Sequence, residues 1–71
     1  MTAEVRLIAR TAVDTVEGSW EALDRNDRDL FRAGVEKALE KGEAIAIPTP
    51  EGPTLIPAAA VVWVRFETQD A

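Results

Sequence analysis

The stretch Val61-Val62-Trp63-Val64-Arg65-Phe66-Glu67 constrains the chain most, because a run so rich in β-branched and aromatic residues is its clearest strand. Read with a period of two, Val62, Val64 and Phe66 point one way while Val61, Trp63 and Arg65 point the other. Neither side is made for water, so the strand belongs inside a sheet.

A chain of 71 residues is one small domain, 1–71, at the size where a single core only just offsets chain entropy. Small domains are stapled by disulfides, by a structural metal or by association. With no Cys and no His in the sequence, association is the remaining route. The lack of Cys suits a reducing cytoplasm, which is the expected location, and no window approaches the length of a membrane span. Thirteen Asp and Glu against eight Lys and Arg give a net charge of −5, which argues for a soluble chain and against direct binding to nucleic acid or anionic membrane. The abundance of Ala, Val, Arg and Glu, with one Ser and no Tyr, suits a GC-rich coding sequence and so a bacterial or phage source.

In chain order, Glu4 to Val13 reads as a first strand with Val5, Leu7 and Ala9 on a clean apolar face and Arg6, Ile8 and Arg10 on a mixed one. Asp14 to Asp24 carries acids, Gly18 and Trp20. It is either a hairpin turned at Glu17-Gly18 or a cap at Ser19 leading into the helix, and an irregular or extended connection with Trp20 against the core is preferred. Leu30, Phe31, Val35, Ala38 and Leu39 form one apolar stripe and predict a helix over 26–41, capped by Asn26 or Asp24 and stopped by Gly42, with Arg28, Arg32, Glu36, Lys37 and Glu40 on its solvated face. Gly34, beside that stripe, marks a close approach to the sheet or is simply tolerated. Ala44 to Ile47 is a strand, and the three prolines of 48–53 require a turn. Thr54 to Ile56 is a short strand, Pro57 to Ala60 a helical turn or bulge, and 68–71 a polar tail expected to fray. The expected fold is α+β: a small, mostly antiparallel sheet of three to five strands with one α-helix packed on one face.

The residue inventory removes most catalytic plans. Without His or Cys there is no imidazole base, no thiol nucleophile and no conventional zinc site, and no glycine-rich phosphate loop is present. Asp24 to Asp29 superficially resembles a calcium loop but lacks its glycine and closing Glu and contains two arginines. No catalytic, cofactor-binding or metal-ligating residue is assigned, and the chain is not expected to be an enzyme.

Geometry supplies a sharper signal. One helix covers one sheet face, with Val5, Leu7, Ile45, Ile47, Val62, Val64 and Phe66 beneath it. The opposite face is then expected to carry Ile8, Val61 and Trp63 with Arg6, Arg10 and Arg65 at its margins, an apolar patch rimmed by arginines as interface centres are. Arginine stems or the segment around Trp20 are the other way to cover Trp63. The first functional expectation is therefore a small acidic protein-interaction module that forms a homo-oligomer, most simply a dimer through open sheet faces or joined edge strands, or that binds a protein partner. A second is a phage-type inhibitor whose Asp14, Glu17, Glu21, Asp24, Asp27 and Asp29 imitate nucleic-acid phosphates and occupy the basic channel of a host protein. A third is an anionic-ligand binder using Arg6, Arg10 and Arg65 at a subunit boundary.

Overall fold

The structure, a computed structural model, describes residues 3–70. The main sheet is antiparallel and centred on β1 (Ala3–Thr11), along one side of which β6 (Val61–Asp70) pairs for its whole length. The other side is shared end to end by β2 (Thr15–Glu17), opposite 8–10, and β3 (Glu21–Leu23), opposite 3–5. The expected α+β arrangement is present, with α1 (Arg25–Glu40) on one face. The strands β4 (Ile45–Ile47) and β5 (Thr54–Ile56) do not join this sheet but form a separate two-stranded ribbon. Only three residues long and joined by a proline-rich turn, they pair with each other and contribute side chains to the core instead of hydrogen bonds to the main ladder.

The core forms where the inner sheet face, the helix and the ribbon meet. Leu7, Ala9, Val35, Ile45, Ile47 and Ile56 are buried together, with Phe31, Leu39, Val61, Val64 and Phe66 packed around them. Phe31 meets Phe66 edge-on at 5.6 Å between ring centroids, fastening α1 to β6. Each large apolar side chain taken fully from water here contributes about 1.5–3 kcal/mol, and so few of them leave a fold of this size thinly supported.

Local chemistry explains the element ends. The first strand stops at Thr11, short of the expected Val13, because Thr11 N–H donates to Asp14 C=O at 2.8 Å and the Thr11 hydroxyl accepts from the N–H groups of Val13 and Asp14. The turn therefore lies at Ala12–Val13 and not at Glu17–Gly18, and Val13 is 88% exposed. The helix is capped by Asp24 and not Asn26: the Asp24 carboxylate accepts the Asp27 N–H at 2.8 Å. Its far end closes as a Schellman motif, with Gly42 N–H to Leu39 C=O, Glu43 N–H to Ala38 C=O and Gly42 at φ 73°. Leu30 is exposed, since it sits one residue off the stripe that Phe31, Val35 and Leu39 bury. A Cβ on Gly34 would meet nothing within 4 Å, so that glycine marks no close approach.

Two expectations about the last strand are also revised. Instead of fraying, 68–70 continue the ladder, with Thr68 opposite Val5, Gln69 opposite Glu4 and Asp70 opposite Ala3, while Ala71 lies outside the described residues. At the other end Trp63 pairs with Arg10 but Val61 with Thr11, so Val62 is the extra residue of a β-bulge. The bulge reverses the alternation: Val61 packs on the core, and Val62 is 63% exposed.

Candidate functional site

The outer face of the main sheet is built from alternate residues of β1 and their cross-strand partners. Arg6 lies opposite Glu67, Ile8 lies between Arg65 and Glu17, and Arg10 lies between Trp63 and Thr15. Arg6, Ile8, Arg10, Arg65 and Trp63 thus do share one face, but Val61 is not among them because of the bulge. Ile8 offers no surface to a partner. It is only 2% exposed, on the central strand and flanked by long side chains on both neighbouring strands.

Charge pairing occupies much of this face. Glu67, absent from the residues expected on this face, accepts from Arg6 at 2.7 Å through one oxygen and lies 3.4 Å from the Arg65 guanidinium through the other. Strand parity already set Glu67 beside Arg65; the register with β1, which makes it the partner of Arg6, needed the structure. The Arg6 guanidinium also stacks 4.7 Å from the Trp20 ring centre, and Arg65 lies 5.3 Å from that of Trp63. Trp63 is nevertheless 41% exposed. Arg10 donates to the Thr15 hydroxyl at 3.1 Å. Arg6 and Arg65 therefore share a carboxylate and are not free to grip an anionic ligand with Arg10.

The six acids do not form one surface. Asp14 is tied to the Thr11 hydroxyl at one end of β1, and Asp24 caps the helix beyond the other, a separation of about 27 Å at the usual strand rise. Glu17 belongs to the outer face with Ile8, whereas Glu21 pairs with Val5 on the inner face. Asp27 lies in the first turn of the helix, and Asp29 lines a cleft against β6. No group of three or more Asp or Glu side chains able to hold a metal ion is found among the described residues.

The two edges of the sheet are unlike. Gly18 N–H donates to Leu7 C=O at 2.8 Å, so the backbone groups of Leu7 face β2 and β3, and alternation turns those of Arg6, Ile8 and Arg10 towards β6. Their partners Glu67, Arg65 and Trp63 face β1 in return. Consequently the N–H and C=O groups of Val64, Phe66 and Thr68 point outward, where no further strand lies among the described residues. Near the start of this edge Val13, Leu55, Pro57, Ala59 and Val62 line an open apolar groove of about 500 Å³.

These features define a class: a small α+β domain with a charge-laced outer face and one bare, regular sheet edge. Comparison with protein-family models, with curated proteins and with solved structures finds no match. No helix among the described residues is long and apolar enough to cross a membrane.

Proposed function

We propose that the protein is a non-enzymatic protein-interaction module that acts as a homodimer, two copies joined antiparallel along β6. The observation that carries this reading is the ten-residue strand Val61–Asp70 at the sheet margin, with the outward backbone groups of Val64, Phe66 and Thr68 unpaired by any strand among the described residues. Proteins that must stay monomeric blunt such edges with proline, inward charges or short length. Here the bulge at Val62 disturbs only the beginning of the strand.

Charge complementarity favours a second copy as the occupant. A two-fold axis at Phe66 pairs the outward groups of Val64 with those of Thr68 in the partner, and on the outer face it sets Arg65 of each copy opposite Glu67 of the other. Joining two four-stranded sheets into one also gives a thin core the support that it cannot draw from disulfides. Face-to-face packing is less favoured, because Ile8 is buried and the Arg6–Glu67–Arg65 cluster would have to be dehydrated.

Light scattering over a concentration series tests the proposal. The wild-type chain is expected to be dimeric at high concentration. Thr68→Pro removes an outward N–H without touching the β1 ladder and is expected to give a folded monomer. A wild-type chain that stays monomeric throughout overturns the reading. A dimer that survives Thr68→Pro but is lost in Trp63→Ala moves the contact to the outer face.

A further inference from the structure

The geometry points to a binding site for a phosphate group in the cleft between the first half of α1 and the end of β6. Arg25, Arg28 and Arg32 recur at i, i+3 and i+7 and so project from one side of the helix. Together with Asp29 from the helix and Phe66 and Thr68 from β6 they line a cleft of about 190 Å³. Three guanidinium groups and one carboxylate make this a local concentration of positive charge in a chain whose net charge is −5.

Arg25 and Arg28 have no ion-pair partner among the described residues. Within ion-pair distance, among the described residues, only Arg32 has a carboxylate, the Nε to Glu36 contact at 3.1 Å, and both members of that pair are well exposed. The Arg32 guanidinium lies 5.7 Å from the Phe66 ring centre, over the cleft wall. Arg28, expected on a solvated face, is half-buried. Its Nε is the one buried side-chain nitrogen or oxygen among the described residues without a hydrogen-bond partner. A buried charged donor left without an acceptor is costly, and because Arg28 Nε is shut off from water as the side chain stands, an oxyanion in the cleft satisfies it by drawing the guanidinium towards itself.

The donor set favours phosphate over carboxylate. Three guanidinium groups on successive turns offer more donors than one carboxylate can accept, which suits a tetrahedral group with several acceptor oxygens, and the excess of positive charge suits a dianion. The space holds a phosphate and a few attached atoms, so the ligand class is a small phosphorylated molecule, or inorganic phosphate itself. This site differs from the outer-face arginines, and it adjoins the β6 edge, since Phe66 and Thr68 line the cleft with their side chains while their backbone groups point outward.

Amide and arginine Nε–H resonances followed by NMR during titration with inorganic phosphate, and separately with phenyl phosphate, test the site and distinguish the two sources. Saturable shifts at Arg25, Arg28 and Arg32 are expected. Tighter binding of phenyl phosphate identifies an ester as the ligand type, and equal binding identifies the free ion. Arg28→Met is expected to weaken binding at least about tenfold while the chain stays folded, with Arg25→Gln as the second variant should Arg28→Met not fold. Arg10→Gln, on the outer face, is expected to bind as the wild type does. Absence of saturation, identical shifts with sodium chloride at matched ionic strength, or unchanged affinity in the folded arginine variants of the cleft would each overturn the proposal.

Discussion

The two edges of the main sheet are made from the same kind of antiparallel pairing to β1, yet one is closed and the other open. On the closed side the partner strand is broken into β2 and β3, and in the break Gly18 presses against β1 while Ser19 N–H and Oγ both donate to Pro48 C=O, at 2.7 and 3.0 Å. That edge is thereby tied to the ribbon and has little continuous ladder left to offer. On the open side β6 runs regularly from Trp63 to Asp70 with outward groups that no strand among the described residues matches. A sheet that interrupts one margin and leaves the other straight has directed its capacity for further pairing to a single place.

The strongest way to break this contrast is at Gly18. A Cβ there would lie 2.7 Å from Leu7 O, 2.9 Å from Ile47 Cγ2 and 3.2 Å from Pro48 O, and two of these three are backbone atoms that cannot swing aside. Gly18→Ala is expected to destabilise the chain by about 2–3 kcal/mol, read as a lower urea midpoint. An unchanged midpoint would mean that the junction between sheet and ribbon yields easily. Thr68→Pro acts on the other edge, with loss of the dimer and a smaller effect on the monomer's stability. Ser19→Ala removes the hydroxyl donation to Pro48 but keeps the backbone one, so a cost of about 0.5–1.5 kcal/mol is expected in the same unfolding measurement. If it also raised the dimer's mass to higher oligomers, the closed edge would owe its closure to that single hydroxyl.

Much of this architecture was legible in the sequence because it rests on periodicity and on local chemistry. Alternation in Val5–Ala9, the stripe of Phe31, Val35 and Leu39, and the glycine stop at Gly42 depend on neighbours a few residues away. What was not legible depends on long-range register. The bulge at Val62 arises where the 3-10 turn Ala58–Ala60 feeds the strand into a ladder already set by Arg10 and Trp63, and it moved Val61 from the expected interface into the core. Parity puts Ile8 on the outer face, as the register confirms, but its burial depends on the long side chains that the two flanking strands bring beside it. Helical periodicity puts Arg28 on the solvated face of α1, but β6 continues to Asp70 and sets Thr68 beside the cleft that Arg28 lines.

The finest test asks whether the open edge works apart from the stability of the fold beneath it. Gly34 is exposed within α1 and has clear space where a Cβ would stand, so Gly34→Ala meets no steric penalty and gains helix propensity. A rise in monomer stability of up to about 1 kcal/mol is expected, measured at a concentration below dimer formation. Because Gly34 touches neither sheet margin, the dimer's dissociation constant should not move. Tighter association in Gly34→Ala would show that a firmer helix contributes to the dimer contact, and an edge made of backbone groups alone would then be an incomplete account of how two copies meet.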